Sequence, residues 1–389
     1  MTLKSHVLLA GTIAIAAGIC ADAGAQTNVT LYGTVDVALM YVSNQNGSSK
    51  TKLRSGNLAA SKFGLKGSED LGSDTQAIFV LESGFDAVEF NSTGIFSRQT
   101  TLGLTNKHYG TLNVGRQYSP YYLFVGPLGP TSILTGATGA HPGDIDGLDT
   151  LIRISNSISY ASPLWSGAQV SVLAGFGEQP GSNASGSSVS AAFKYDYRDW
   201  NFALGYLQLK NGNAPGVWDP TASATFGMSA INNGYVSADS IRYLGAAARY
   251  SIGKLMLGAN ATNVAYRPGG GSLFTDKATF NTAGVIASYQ LSAPWFVSAG
   301  YSHTRERAAN GISDPAKYHQ LSLEQTYSFS KRTAFYLLEA YQRADGQTLA
   351  KAGSGNPVNA VAVVGDSQNG TPSSGRSQTV LMMGLRHNF

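Results

Sequence analysis

The chain of 389 residues contains a single cysteine, Cys20, and Asp, Glu, Lys and Arg together make up only 13% of it, about half the share found in soluble domains. Beyond the first 25 residues it also has no long apolar run. Each shortage excludes something. One cysteine builds no disulfide framework and no thiolate metal site. Without ~20 consecutive apolar residues, no helix spans a bilayer. Low charge combined with 20 Tyr and 16 Phe is the reverse of a disordered composition. The formal charge of +4 is too small to point to nucleic acid. What is plentiful is glycine, 46 residues, and the mean hydropathy is close to neutral at -0.08. Apolar and polar residues must therefore alternate on a fine scale.

The first 25 residues read as a separate object. Lys4 opens a positive start, Val7 to Ile19 is an apolar run of thirteen, and Ala23-Gly24-Ala25 is a small-residue cleavage site. This is the pattern of a secretory leader, expected to be removed before Gln26. Removal takes away one base and one acid, Lys4 and Asp22, together with Cys20. The exported chain at 26–389 then keeps its charge, has no cysteine, and must draw its stability from backbone pairing and packing.

The repeating signal is period two. In VTLYGTVDVALMY, Val29, Leu31, Val35, Val37, Leu39 and Tyr41 alternate with Thr30, Thr34, Asp36 and Ala38. In HQLSLEQTYSF, Leu321, Leu323, Tyr327 and Phe329 alternate with Gln320, Ser322, Glu324 and Thr326. Such alternation puts apolar and polar residues on opposite faces of a strand. Sixteen such strands are expected, near 28–42, 54–69, 74–86, 95–106, 110–119, 151–161, 167–177, 188–198, 200–211, 239–251, 254–267, 278–290, 294–306, 317–329, 332–344 and 376–389. Many reach the ~9–11 residues that cross a bilayer when tilted. Seven connections are short, such as YRDW at 197–200 and SIGK at 251–254, and the others are long and polar. Short turns at one end and long loops at the other distinguish an outer-membrane barrel from a soluble sandwich, whose loops occupy both ends. In hydrocarbon every backbone N–H and C=O needs a partner, so the sheet must close. Trp165, Trp200 and Trp295 at the short turns fit an interfacial girdle. The fold class is thus all-β, a 16-stranded antiparallel transmembrane β-barrel in the outer membrane, in contact with its lipid and lipopolysaccharide.

With that architecture, the sequence resembles the general porins of Gram-negative outer membranes, of the beta-proteobacterial and neisserial type. The motifs are VTLYGTVDVAL at the start, SKFGLKGSEDLG at 61–72, AIFVLESGF at 77–85, RQTTLGL at 98–104, YGTLNVGRQY at 109–118, RISNSISYASP at 153–163 and a terminal Phe389. The resemblance implies a homotrimer, a third long loop folded into the lumen, and a C-terminal aromatic read by the barrel-assembly machinery. It implies a water-filled channel for passive diffusion of small hydrophilic solutes and ions, with no cofactor and no enzymatic role.

Residues 120–150 occupy the third-loop slot, and a connection of this length is usually functional or disordered. Asp144, Asp146 and Asp149 close it. Their D-x-D-x-x-D spacing can be read as a calcium loop, though it lacks the full pattern, or as turn caps; the resemblance makes them the negative side of a pore constriction. It maps the positive side onto Lys62, Arg98 and Arg153, with Arg116 beside them. Lys62 and Arg153 alternate with apolar neighbours and point inward. Strict parity puts Arg98 with Leu102 and Leu104, and Arg116 with Leu112 and Val114, unless a β-bulge re-aims them. Asp36 and Glu82 also look inward and are expected to pair with the cations. A weak anion preference is expected from this set and the +4 balance, opposed by the three aspartates. The alternatives are a barrel enzyme and an adhesin with a closed lumen. His108, His141, His303, His319 and His387 are scattered and form no nucleophile-base motif, and no metal site is read from them.

Overall fold

A computed structural model describes residues 28–89, 94–149, 151–212, 218–219, 222–365 and 372–389. The leader expected at 1–25 lies outside them. The strands are β1 (Asn28–Gln45), β2 (Ser48–Ser55), β3 (Lys62–Gly72), β4 (Thr75–Gly84), β5 (Gln99–Asn106) and β6 (Gly110–Gln117). They continue with β7 (Ile154–Ala161), β8 (Ala168–Gly175), β9 (Ser188–Tyr197), β10 (Trp200–Lys210), β11 (Ser240–Ile252) and β12 (Leu255–Arg267). Then come β13 (Ala278–Ser292), β14 (Trp295–Glu306), β15 (Lys317–Ser328), β16 (Thr333–Asp345) and β19 (Ser377–Asn388). A small ribbon of β17 (Gln347–Leu349) and β18 (Pro357–Asn359) decorates the last long loop. A short α-helix, α1 (Pro120–Val125), opens the third loop.

Every wall strand pairs antiparallel with its neighbours, and β1 closes the ring on β19 from Thr34 opposite Asn388 to Val42 opposite Val380. β3 pairs with the first half of β1 and β2 with the second half. They are two halves of one stave interrupted at 56–61, and counting them together gives sixteen staves. Closure extends to the last residue: Phe389 and Gly33 exchange both backbone hydrogen bonds at 3.0 Å. The phenyl ring lies over Gly33, where a Cβ would come within 2.2 Å of its Cζ.

The alternation works as the sequence indicates. Val29, Leu31, Leu39, Tyr41, Leu381, Met383 and Leu385 are exposed on the outside, whereas Asp36, Ala38, Met40, Val380 and Met382 are buried within. Trp165, Trp200 and Trp295 are exposed beside short turns, and Trp200 stacks on Phe202 and packs at a tilt against Tyr250 in that girdle.

Two features differ from the sequence reading. Residues 42–54 are not a polar loop: β1 and β2 run on to a tight hairpin at Asn46-Gly47, both at positive φ, which suits an Asn-Gly pair joining twisted strands. The interior is also not uniformly polar. Tyr121, Ile145, Leu148, Leu207, Tyr235, Tyr243, Tyr266 and Phe280 belong to an apolar core formed by the third loop, the loop before β11 and the inner wall. Long loops fold into the barrel and bury their apolar residues on the β9–β16 side.

Candidate constriction site

The polar side of the interior is built from strand ends. Lys62 starts β3, with its backbone opposite Gly84. Glu82 alternates inward on β4 and is 2% exposed. Arg98 precedes β5, Tyr118 follows β6 and Arg153 precedes β7, so strand parity does not govern these three. Arg98 swings inward accordingly. Its Nε donates to Glu82 Oε1 at 2.8 Å and its Nη2 donates to Tyr118 Oη at 2.9 Å. Lys62 Nζ lies 3.5 Å from the other Glu82 oxygen, to which Tyr32 Oη donates at 3.1 Å. Arg153 Nε donates to Tyr118 Oη at 3.3 Å, and its guanidinium lies 5.3 Å from the centroid of that ring. Tyr118 thus accepts from two guanidinium groups and holds their like charges together. Its ring packs on Tyr122, centroids 4.9 Å apart. Two cations thus pair with Glu82, and Tyr118 links the third to them.

A recess of about 450 Å³ opens beside this cluster, lined by Lys52, Arg54, Arg98 and Arg153, with Asp86 and Glu89 also on its wall. Lys50, Lys52 and Arg54 face inward opposite Val42, Met40 and Ala38. Sequence reading missed this ladder because it treated the segment as loop, although K-x-K-x-R alternates and Asn46-Gly47 marks a hairpin.

Arg116 keeps company elsewhere. It follows Gly115, at φ +120, where the β6–β7 register shifts. Its guanidinium donates to Ser97 O, Ser155 Oγ and Thr225 Oγ1 at 2.6, 2.5 and 2.8 Å. Asp36 does not pair with the cations either. Its carboxylate accepts from the backbone N–H groups of Asn57, Leu58 and Ala59 at 3.2, 3.0 and 2.9 Å and from Tyr336 Oη at 2.5 Å. It therefore caps the interruption between β2 and β3.

That interruption receives the third loop. Gly136 adopts a positive φ, and a Cβ there would sit 2.1 Å from Asn57 O; Ala137 N donates to the same oxygen at 2.9 Å. At the loop's start Ser119 caps α1 by accepting from Tyr122 N, and Tyr121 lies against Gly205 and Gly245 on the inner wall. On the return, Gln320 donates to Ala140 O at 2.8 Å, and Asp146 joins His141 Nδ1 at 2.5 Å and accepts from Thr262 Oγ1 at 2.9 Å. Burial pushes the Asp146 carboxyl up, but His141 and then Thr262 outweigh it and hold it below the ordinary carboxylate range. Asp146 is fully enclosed and anchors the loop to the wall. Asp144 Oδ1 accepts from Asp149 N at 3.0 Å, closing a local turn. Among the described residues, no group of three or more His, Cys, Asp or Glu side chains is placed to hold a metal ion.

Residues 11–347 match the Gram-negative porin family. The chain belongs to this family. It is an outer-membrane porin, a channel for passive diffusion. It is 28% identical over 393 residues to outer membrane porin protein 32 of Delftia acidovorans, a match covering 96% of this chain and 99% of that protein. Among solved structures, the anion-selective porin from Comamonas acidovorans superposes with a TM-score of 0.72 at 24% identity, over 94% of this chain and 100% of that one. A trimer form of OmpT from Vibrio cholerae has a TM-score of 0.64 at 15% identity, over 93% and 99%. At these identities the structural matches bear on the fold, and the porin's own selectivity has to be argued from its residues.

Proposed function

We propose that Lys62, Arg98 and Arg153, with Glu82, line the narrow part of the channel opposite the third loop and give it a preference for anions. The observation that carries this reading is the charge count: Lys62 and Arg98 share one carboxylate, Glu82, Arg153 joins Arg98 through Tyr118, and Lys52 and Arg54 extend the positive wall. Asp144 and Asp149 supply the acidic counterpart on the loop. Asp146 and Arg116, both held by other partners, position the loop and the strand ends. No bond chemistry is required. A bare charge faces a steep cost in hydrocarbon, whereas a wet passage keeps the solute hydrated, and its narrowest section and local field set the rate. The name of the Comamonas porin agrees with this reading. Reversal potentials of the purified protein in planar bilayers under a chloride gradient test it; a clear potassium preference refutes it.

In the same reading the chain is exported by residues 1–25, which N-terminal sequencing of the mature protein would find removed. It assembles as a homotrimer, in keeping with the OmpT trimer form. Its outward terminal Phe389 serves as the signal for the barrel-assembly machinery, and its apolar outside meets outer-membrane lipid and lipopolysaccharide.

A further inference from the structure

We propose that the last long loop is a second internal boundary of the channel, clipped into the lumen by a comb of three glutamines that also locks it to the third loop. The chain between Asp345 and Ser377 is rich in Gly, Ser and Asn but contains one apolar run, Ala360-Val361-Ala362-Val363-Val364. A loop standing free in water gains nothing from such a run. Here Ala360, Ala362, Val363 and Val364 are at most 2% exposed. Val363 belongs to the core that also holds the third loop, and Val364 to a cluster with Met40, Tyr336 and Met382 on the inner wall.

Backbone buried with these side chains needs hydrogen-bond partners. Ala362 finds them in the loop itself: its N–H donates to Gly375 O, and its carbonyl accepts from Ser373 N, both at 3.0 Å. Val363 and Val364 are served by the wall. Gln320, Gln342 and Gln378 face one another in a row across β15, β16 and β19, all buried. Gln342 Oε1 accepts from Val363 N at 2.7 Å, and its Nε2 donates to Val363 O at 2.6 Å. One side-chain amide thus stands in for a neighbouring strand. Gln378 Oε1 accepts from Val364 N at 2.9 Å, while its Nε2 donates to Asn44 O of β1 at 2.6 Å. Gln320 Oε1 accepts from Gln342 Nε2 at 2.9 Å and from Gly365 N at 3.4 Å. Its other end, Nε2, is the group that donates to Ala140 O in the third loop. Gln320 therefore holds one loop with each end of its amide.

The choice of side chain says what kind of fastening this is. Leucines at the three positions would extend the apolar core and hold the loop by packing alone. Glutamine satisfies buried backbone when the loop is down and is equally at home in water when it lifts. A segment held by side-chain bonds, outside the barrel ladder, belongs to the part of a fold that opens at least cost. Lifting the last loop would strip Gln320 of Gln342 and Gly365 and weaken its grip on Ala140, so the two loops move as one. Together they confine the wet passage to the side of the lumen where the cations stand. Gln342 is the central positioning residue, since it alone closes both bonds of Val363.

The test pairs single-channel recording with limited proteolysis of the purified porin. Gln342→Leu removes the clip from the wall side, and Val363→Asp dislodges the run from the loop side. Each is expected to raise the time spent in a larger-conductance level by about tenfold, the weight of one or two buried hydrogen bonds. Thermolysin, which cuts before large apolar residues, should cleave at 361–364 faster by the same factor, because cleavage follows the population of the lifted loop. Gln320→Leu should add the rapid current noise of a loosened third loop to that level. Heat-modifiable migration should match the wild type, since the ladder of β15, β16 and β19 uses no glutamine side chain, and the sign of the reversal potential should be kept. Folded variants with wild-type conductance levels would overturn the proposal. So would faster cleavage without a conductance change, which describes a loop that lifts but bounds nothing. A conductance change without faster cleavage would overturn it too, by placing the effect elsewhere.

Discussion

Lys62 offers a clean perturbation of the proposed selectivity. Its side chain is about one-third exposed and its ion pair with Glu82 is long, 3.5 Å, so Lys62→Gln removes a charge with little structural consequence. For an ion passing ~6 Å from the removed charge in a water-like medium, the Coulomb term is about 0.7 kcal/mol. At ~0.15 M salt the Debye length of ~8 Å reduces it to about 0.3 kcal/mol. The charge favours the anion and opposes the cation by similar amounts, so the permeability ratio of chloride to potassium should fall about threefold. At ~1 M salt, with a Debye length near 3 Å, the change should shrink to about 1.4-fold. Glu82→Gln should shift the ratio the other way by a comparable factor. Reversal potentials at both salt concentrations measure all of this. A ratio unmoved by either variant, or a shift independent of salt, would remove Lys62 and Glu82 from the ion path.

Three further outcomes follow from the packing. Gly33→Val should drive a side chain into the Phe389 ring, overlapping it at a site where a Cβ already comes within 2.2 Å; a drop in heat-resistant, SDS-stable folded protein reads the loss of closure. Asp146→Asn should loosen the third loop by about 1–3 kcal/mol, the cost of breaking a buried charged hydrogen bond, seen as current noise at neutral pH. The depressed Asp146 carboxyl means that the undocked loop takes up the proton first. Its contribution is therefore complete above the ordinary carboxylate value of ~4 and fades as pH falls below it. Wild-type recordings should thus be quiet from neutral pH to about 5 and noisy only below ~4, whereas the variant should show no such acid step. Gly205→Val should push Tyr121 and α1 toward the lumen, because a Cβ there lies 2.9 Å from the Tyr121 ring. Overpacking of this kind costs about 1–3 kcal/mol, and single-channel conductance should fall while the sign of selectivity is kept.

Much of the wall was legible because its physics is local. Period-two alternation placed Val29 to Tyr41 and Leu381 to Phe389, and the short turns sorted the ends. It also pointed Lys62 and Glu82 inward. Alternation is an unsafe guide where a residue sits just off a strand, as Arg98 does, although it pointed Arg153 inward correctly. Parity assigned Arg98 to the wrong side, and the family resemblance placed it among the constriction cations. The path of the third loop was not legible, because it depends on contacts far apart in sequence. In retrospect, Gly205, Gly245 and Gly300 inside regular strands were the signal, since a strand glycine often marks close approach of another segment. Tyr121 lies against the first two, and Leu134 would come within 2.5 Å of a Cβ on the third.

The interruption of the second stave and the inward fold of the third loop are one device. A continuous strand at 56–61 would use its backbone groups in the ladder and present no acceptor to the lumen. Breaking it frees Asn57 O, which then receives Ala137 N and lies against Gly136. The break would leave the N–H groups of Asn57, Leu58 and Ala59 without partners in a buried place, a cost of about 1–3 kcal/mol for each. Asp36 accepts from all three and in turn is held by Tyr336 from across the barrel seam. One inward carboxylate on β1 thereby stabilises an irregular backbone, ties the first stave to β16 across β19, and fixes where the loop tip lands. The loop's far end is fixed by Asp146, which accepts from Thr262 of β12, so two acidic residues outside the cation cluster hold the two ends of the loop in place.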